Sequence, residues 1–221
     1  AVSYYFTVET VDGDMSFNPH AAPDSMYMGD AWSGHEISFT DDFNTDTGWT
    51  VEANAGTGNW IRLVPTQGGY RCDPGSDSDG SGSCFVTGNA TDEDVDDGST
   101  ILTSPALDAS DEAAVLSYDF WYNSGSNCNG ADPQNDVFVV DISDDNGATW
   151  EPLETVGPTG TEVNGGWFTH EWVVANIPNI NSSATMKLRF TVGDLNEPSI
   201  IEAAVDAINI GYHYCNEDSC A

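Results

Sequence analysis

Carboxylates are the side chains through which this chain could do chemistry. The sequence has 37 Asp and Glu against 4 Lys and Arg, which gives a formal net charge of −33 at pH 7. Two acidic turns and one late carboxylate offer hard oxygen ligands, of which Ca²⁺ takes about six to eight. The predicted calcium ligands, which have Asp92 and Asp97 as neighbours, are Asp41, Asp42, Asn89, Asp94, Asp96 and Asp206. The competing interpretation is that these are solvated carboxylates of an acid-rich surface.

A further acidic loop contains Asp73, Asp77 and Asp79, followed by Gly80. It looks like the start of an EF-hand loop, but the distant bidentate Glu that such a loop requires is missing at the necessary spacing. We therefore interpret this loop as solvated surface. It is too polar to pack by apolar burial alone, so it needs a disulfide, a metal or both.

The sequence contains no motif of a known catalytic class. It lacks G-x-S-x-G, H-E-x-x-H and any Cys-His signature, and nothing selects one carboxylate pair among the acids. The four histidines are expected to be structural or exposed: His20, His35, His170 and His213. We predict a chain that is not an enzyme and has no catalytic or cofactor-binding residues.

Five cysteines indicate an oxidising compartment and hence a secreted or surface protein. Their spacing favours two local disulfides, Cys72 with Cys84 and Cys215 with Cys220. Cys128 is left over. It is either a buried thiol or bridged to one of the other four cysteines or to another chain.

The charge excludes nucleic acid as a partner, because the chain has almost no basic side chains to neutralise phosphates. It also argues against anionic membranes, and no stretch has the long apolar run of a membrane helix. Such an acidic surface is typical either of solubility at high salt or of carboxylates held by divalent cations. Both point outside the cell, to a halophilic or marine setting such as seawater or brine. A chain that begins at Ala1 is expected to be a mature or processed fragment.

The strongest local element is a hairpin over residues 136–156. A β-branched and aromatic run is followed by turn residues, Asp145, Asn146 and Gly147, and then by a returning strand. Residues 143–150 match the pattern S-x-D-x-G-x-T-W, known as an Asp-box. We expect Gly147 to take a positive φ, Asp145 to accept backbone N–H groups and Trp150 to cover the base. Asp-boxes repeat in sialidase-like propellers, so a single copy argues against a propeller and places this hairpin at the centre of one sandwich.

The remaining strand runs predict an all-β chain with a jelly-roll-like β-sandwich and a short N-terminal two-strand extension. Residues 1–29 look like the terminal strands of an immunoglobulin- or fibronectin-like module, with residues 30–36 as a linker. The sandwich spans residues 37–214, and residues 215–221 form a disulfide-closed tail. Phe39, Phe43 and Trp49 are core candidates.

Several stretches together resemble MAM-like and cleaved-adhesin domains of the choice-of-anchor type. They are residues 40–49, 84–89, 94–105, the 136–156 hairpin and residues 202–208. Such domains are jelly-roll accessory domains of large secreted bacterial proteins, often after an immunoglobulin-like module. The resemblance implies a structural ion that joins the first strand to the last, which would bring Asp42, Asp96 and Asp206 together. If the last strand is regular, Glu202 and Asp206 share a face.

These observations predict a non-catalytic, extracellular, calcium-stabilised module for adhesion, assembly or tethering, with other domains of its parent protein or neighbouring copies as partners. One alternative is a carbohydrate-binding accessory domain of a secreted hydrolase or protease. Glycans would then stack on exposed aromatic side chains, the candidates being Trp60, Tyr70, Trp121 and Trp167. The other alternative is a filament or surface-layer subunit joined by strand addition from residues 1–29.

Overall fold

The computed structural model describes residues 2–4, 6–9, 15–18, 27–29, 34–66, 71–128, 130–195 and 197–214. The chain divides into two compact units, residues 1–36 with 213–221 and residues 37–212. Within the described ranges, no helix has the length and apolar character needed to cross a membrane. Tyr70, Cys215 and Cys220 lie outside the described residues.

Short strands form two antiparallel pairs in the first unit. Strand β1 (Val2–Tyr4) pairs with β4 (Tyr27–Gly29), and β2 (Phe6–Glu9) pairs with β3 (Met15–Asn18). The sequence indicated two strands in this segment. Strand β3 lies in the stretch predicted as a loop, where the alternation Met-Ser-Phe-Asn has the two-residue period of a pleated strand.

The second unit is a β-sandwich of two antiparallel sheets, as the strand pattern predicted. Its strands are β5 (Gly34–Asp41), β6 (Thr50–Ala53), β7 (Trp60–Leu63), β8 (Cys84–Thr87), β9 (Gly98–Thr103), β10 (Leu107–Ala109), β11 (Ala114–Asn123), β12 (Phe138–Ser143), β13 (Glu151–Val156), β14 (Asn164–Val173), β15 (Ser183–Asp194) and β16 (Glu202–Tyr214). The first sheet has the order β13-β12-β15-β9-β6, with β10 beside β15. The second has the order β14-β11-β16-β8-β7, with β5 beside β16. Two 3₁₀ turns, Ser126–Cys128 and Val174–Asn176, complete the described elements.

The two sheets bury one hydrophobic core because their strands alternate. Every second residue of β11, from Ala114 to Tyr122, is buried, and the residues between them are half-buried. The same alternation runs through β12 and β15. A period of two places one apolar row of each strand on the face toward the other sheet.

Aromatic rings fill the middle of this core. Phe120 of one sheet stacks on Phe138 of the other with ring centroids 5.6 Å apart, and Tyr118 meets Phe190 edge-on at 5.2 Å. Phe43 is fully buried, as predicted. Trp49 and Phe39 are partly buried and pack against the same cluster.

The hairpin of β12 and β13 has the predicted local geometry. Asp145 Oδ1 accepts hydrogen bonds from the Thr149 backbone N–H and the Ser143 hydroxyl, both at 2.8 Å. Gly147 has a φ of +87°, and its N–H donates to Ser143 Oγ at 2.8 Å. The hairpin is not the centre of the sandwich, however, because β13 is the edge strand of its sheet. Val156 is the one buried residue of β13, and such low burial is typical of an edge strand.

The two basic side chains of β15, Lys187 and Arg189, are two residues apart and lie outside the buried row of the strand. Arg189 Nη2 pairs with Asp141 Oδ2 at 2.8 Å across the β12–β15 ladder. Its guanidinium also lies 4.4 Å from the ring centre of Trp150. Arg189 therefore has a structural role, since it joins the hairpin to β15 by an ion pair and a cation–π contact.

The predicted pairing of Cys72 with Cys84 is wrong. Cys72 is bridged to Cys128, 56 residues away along the chain, so the bridged alternative for Cys128 is the one observed. Cys84 is a buried free thiol, unpaired among the described cysteines. The local pair was favoured because short loops cost the least entropy to close. The fold instead places Cys84 within strand β8, with its side chain against Val86 and Ala204.

We expect Cys84 to be inert in the native chain. Its side chain is fully buried, and burial, together with Asp206, Asp77 and Asp79, raises the pKa of the thiol well above its ordinary value. Iodoacetamide should label Cys84 in the denatured chain and leave it unlabelled in the native chain, as measured by mass spectrometry of the peptides. Rapid native labelling of Cys84, or recovery of a Cys72–Cys84 crosslinked peptide, would contradict the structure.

Candidate metal centre

The site is built on the outer face of the second sheet, under residues 71–83, which we call the 71–83 loop. The disulfide from Cys72 to Cys128 anchors one end of the loop. Two indole N–H groups hold its backbone: Trp121 Nε1 donates to Cys72 O at 2.7 Å, and Trp167 Nε1 donates to Ser76 O at 3.1 Å. The loop thus covers a small second apolar cluster, formed by Cys84, Val86 and Ala204 with Leu63, Trp121 and Trp167 packed against it.

Asp206 lies beneath this loop. Strand β16 pairs Ala204 with Val86 of β8, so the antiparallel register places Asp206 opposite Cys84. The Asp206 side chain has no exposed surface. Its Oδ2 accepts hydrogen bonds from the Ser78 backbone N–H at 2.8 Å and from the Ser78 hydroxyl at 3.1 Å. A residue buried in a strand is thereby bound directly to the tip of the loop.

The backbone of β16 is distorted at this residue. The β11–β16 ladder shifts register between Ser117 and Asp119, whose partners are Asn209 and Asp206. Ala207 has a φ of +50°, and its N–H donates to Asp206 Oδ1 at 2.8 Å. A β-bulge re-aims the side chain next to it. Here the local bend accompanies a carboxylate whose two oxygens are both oriented by backbone N–H groups.

Asp77 and Asp79 complete a group of three carboxylates. One carboxylate oxygen from each of Asp77, Asp79 and Asp206 lies within 4.8 Å of the others. The loop orients the first two: Gly82 N–H donates to Asp77 Oδ2, and Ser81 N–H donates to Asp79 Oδ1, both at 2.7 Å. Carboxylate oxygens converging at this spacing are the donor type that Ca²⁺ prefers, and water could supply the ligands still needed.

Burial and mutual repulsion raise the proton affinity of this site. Burial, helped by the negative charge of Asp79, raises the pKa of Asp206 to about 6, although hydrogen bonds from Ser78 and Ala207 act to lower it. Glu202, on the same face of β16, has a pKa raised well above its ordinary value by burial, with a lowering hydrogen bond from Thr87. Glu202 and Asp206 therefore lie on the same face of β16 and have different hydrogen-bond partners, Thr87 for Glu202 and Ser78 for Asp206.

The predicted ligands from the first acidic turn make local hydrogen bonds. Asp41 is buried, and its carboxylate accepts from Phe43 N at 2.9 Å, from Trp49 Nε1 at 2.8 Å and from the Thr47 hydroxyl. Asp42 accepts from the backbone N–H and the side-chain amide of Asn44, both at 3.0 Å. These bonds shape the turn that follows β5.

The predicted ligands from the second acidic turn are also engaged elsewhere. Asp94 is fully buried and pairs with Arg71 at 2.6 Å; burial raises its pKa to about 6 although Arg71 lowers it. The Asp96 carboxylate is 3.4 Å from the Thr57 hydroxyl, which donates to it. The Asn89 amide donates to Thr66 Oγ1 at 2.9 Å. The six predicted ligands therefore do not form one site. Only Asp206 belongs to the group of three carboxylates found among the described residues.

The turn after β5 nevertheless reaches the 71–83 loop. The Asn44 amide donates to Ser81 O at 3.2 Å, and the Ser81 hydroxyl donates to Asp42 O at 3.1 Å. The end of β5, the loop and Asp206 of β16 therefore form one hydrogen-bonded chain. The carboxylates that converge on Asp206 come from the loop that the sequence had indicated as solvated surface. The alternation of Asp77, Asp79 and Ser81 in a loop too polar to pack was the signal available for them.

The glycan-binding candidates within the described residues, Trp60, Trp121 and Trp167, do not present exposed rings on which a sugar could stack. Trp60 is 4% exposed and belongs to the core, so its prediction as a sugar-stacking residue is wrong. Its inward position follows from β7, where Trp60 is buried and Ile61 is exposed. Trp121 and Trp167 are half-buried and contact each other edge-on, with both indole N–H groups bonded to the 71–83 loop.

The calcium response should depend on pH because the metal competes with a proton at Asp206. Without metal, a pKa raised from 3.8 to about 6 favours the folded state below pH 4, and that advantage is lost as pH rises to 6. Metal binding needs the ionised form. The calcium-induced increase in melting temperature should therefore be large at pH 7.5 and small at pH 5. An equal increase at both values would exclude Asp206 as a ligand.

Comparisons with known proteins do not identify a family. No family model matches the sequence, and no curated protein matches it. Two cleaved adhesin domains of Lys-gingipain from Porphyromonas gingivalis W83 are similar in structure, with 17% and 14% identity and TM-scores of 0.47 and 0.48. Each alignment covers 80% of this chain, with 99% and 98% of the respective adhesin domain.

A carbohydrate-binding module of family 11 from Clostridium thermocellum, solved with a β-1,3-1,4-mixed-linked tetrasaccharide, is also similar. It has 14% identity and a TM-score of 0.44 over 83% of this chain and 98% of the module. Similarities at this level do not establish a family or a function. The chain is accordingly described by its own structure: a jelly-roll-like β-sandwich with a carboxylate group beneath a disulfide-anchored loop.

Proposed function

We propose that this chain is a non-catalytic, extracellular module for adhesion or tethering within a larger secreted or surface protein, stabilised by calcium at Asp77, Asp79 and Asp206. The observation that supports it is the convergence of these three carboxylates beneath the 71–83 loop. The ion would join the loop to β16, and through Ser81 and Asn44 it would brace the turn after β5.

A cation at this point answers two physical needs of the chain. The 71–83 loop has little apolar surface of its own, and its carboxylates repel each other and Asp206. Two positive charges would offset that repulsion and replace water in the space that the three carboxylates share. Because the ligands lie on a loop and a strand, binding would order the loop rather than create a reaction centre.

The proposed function is tested by retention on extracellular material with and without metal. The labelled chain is applied to immobilised matrix proteins and polysaccharides in Ca²⁺ or in chelator, beside a variant with Asp77→Asn and Asp79→Asn. We expect saturable binding that requires Ca²⁺, is weakened in the variant and releases no cleaved product. Product release, or binding unaffected by both chelator and variant, would contradict the proposal.

Carbohydrate binding is a second candidate because one aromatic side chain lines a surface cavity. Trp172 is half-buried at a cavity of about 320 Å³ together with Leu153, Glu171 and Asn176. Apolar and aromatic walls with a few polar groups are typical of ligand cavities. If the polysaccharides in the panel retain the chain, Trp172→Ala should abolish that retention, whereas Trp150→Ala should not, because Trp150 does not line the cavity. Retention that survives Trp172→Ala would exclude this cavity.

A further inference from the structure

One end of the hydrophobic core is closed by polar side chains. In each of four strands, every second side chain points into the core. Two residues beyond the last apolar side chain of each such row, the next inward position is polar. These positions are Ser124 after β11, Asp136 before β12, Asp194 at the end of β15 and Ser199 before β16. All four are buried, at 0%, 4%, 7% and 6% exposure. Four segments thus direct oxygens toward the same end of the sandwich.

Asp136 and Asp194 face each other there. The β12–β15 ladder pairs Phe138 with Val192, and two residues further on the same register places Asp136 opposite Asp194. Directly opposed residues have Cβ atoms about 4.5–5.5 Å apart, and like charges in such a pair destabilise a sheet. The Asp136 carboxylate reaches the end of β15, since its Oδ1 accepts from Leu195 N at 3.2 Å.

The Lys and Arg side chains contact other groups or lie far from Asp194 along the strand. The sequence has only 4 Lys and Arg. Arg62 donates to Phe43 O, Arg71 pairs with Asp94, and Arg189 pairs with Asp141. Lys187 is on the same strand as Asp194 but seven residues earlier, roughly 23 Å away at the rise of an extended strand. Burial raises the pKa of Asp194, and the negative charges of Asp136, Asp96 and Asp97 add to that rise, while a hydrogen bond from Ser199 N lowers it.

One buried oxygen of Asp194 and the buried hydroxyl of Ser199 have unmet hydrogen-bonding capacity. Asp194 Oδ2 accepts from Ser199 N at 3.2 Å, but Asp194 Oδ1 and the Ser199 hydroxyl have no partner among the described residues. Gly130 lies directly over Ser199, since a Cβ at Gly130 would be 2.7 Å from Ser199 Oγ. Buried polar atoms of this kind are costly unless a donor, a water molecule or a cation satisfies them.

We infer that Asp136, Asp194 and Ser199 form a second site for a hard divalent cation of the size of Ca²⁺, at the end of the core. The cation would join the start of β12 to the end of β15 and to the segment that leads into β16. This site is separate from the one beneath the 71–83 loop, because Asp136 and Asp194 end inward-facing rows whereas Asp206 is on the outer face of the second sheet. The two sites share no residue.

The experiment counts calcium ions on the metal-free full chain. Binding of Ca²⁺ alone is measured by titration calorimetry and equilibrium dialysis at pH 7.5 for four chains: wild type, Asp77→Asn with Asp79→Asn, Asp136→Asn with Asp194→Asn, and all four changes together. We expect two ions in the wild type, one in each double variant and none in the quadruple variant. Loss of binding only in the Asp77 and Asp79 variants would overturn this inference and leave the proposed loop site intact. Loss of binding only in the Asp136 and Asp194 variants would support this inference and reject the proposed loop site.

A second measurement needs no variant and covers the case in which a substitution prevents folding. Crystals of the wild-type chain grown with Ca²⁺ should show anomalous density between the Asp136 and Asp194 carboxylates, with Ser199 Oγ as a further ligand. Density for water alone would reject the cation site. A short hydrogen bond between the two carboxyl groups would also reject it, because a shared proton would then hold the pair.

Discussion

Calcium is expected to raise the melting temperature of the chelator-treated chain by roughly 5–10 °C at pH 7.5 when present at about 100 times its dissociation constant. A ligand that binds only the folded state stabilises it by about 2.7 kcal/mol at that concentration, and a domain of this size gains about 2–4 °C for each kcal/mol. The gain is expected because one oxygen from each of Asp77, Asp79 and Asp206 lies within 4.8 Å of the others, and no ion pair joins them to a basic side chain among the described residues.

The variant Asp206→Asn separates metal binding from any general effect of charge. It should remove roughly half or more of the calcium-induced increase, with the remainder belonging to the second cation site. In chelator the same variant should melt at or above the wild-type temperature, because it removes a buried charge whose pKa is about 6. The matched control is Glu112→Gln, which removes one charge from an exposed side chain and should leave the calcium response unchanged. A wild-type melting curve that calcium does not move would reject the loop site.

Removal of the disulfide should cost still more. Replacing Cys72 and Cys128 by Ser frees a loop with a sequence separation of 56 residues, and the entropy of that loop in the unfolded chain is worth about 4 kcal/mol. At about 2–4 °C for each kcal/mol, the melting temperature should fall by roughly 8–16 °C. The double variant should also bind calcium more weakly, since the disulfide anchors the loop that carries Asp77 and Asp79.

Cys84→Ala is the control for this experiment, because it changes a buried cysteine that forms no bridge. It should lower the melting temperature far less than the double variant does, because it costs only the packing of one sulfur atom. A Cys72→Ser and Cys128→Ser chain that melts within two degrees of the wild type and binds calcium equally well would mean that the loop is held by its other contacts, namely the Trp121 and Trp167 hydrogen bonds and the Ser78 bonds to Asp206.

The sequence predicted the features that depend on near neighbours. The alternation of apolar residues from Ala113 to Tyr122 predicted a strand, and the structure has strand β11 at Ala114–Asn123. The turn at Asp145 was predicted in detail because its bonds join residues only two to four positions apart. Such bonds form wherever the local sequence allows them, so no knowledge of the rest of the fold is needed.

The site could be predicted only in part, because its residues are distant in sequence. Asp206 was indicated as a ligand, yet its partners were sought at Asp42 and Asp96 rather than at Asp77 and Asp79. Ser78 and Asp206 are 128 residues apart, and they meet only because β16 lies between β11 and β8. Sequence spacing contains no information on that order.

By itself the sequence determined that this chain is an all-β, strongly acidic sandwich with a tightly bonded hairpin, since strand period, turn chemistry and net charge are local or additive properties. Only the tertiary structure decided that Cys72 pairs with Cys128, that Trp60 is in the core and that Asp206 meets Asp77 and Asp79. The physical reason is that these pairings are fixed by strand order and register across two sheets, and a shift of one residue in β16 would move Asp206 to the other face.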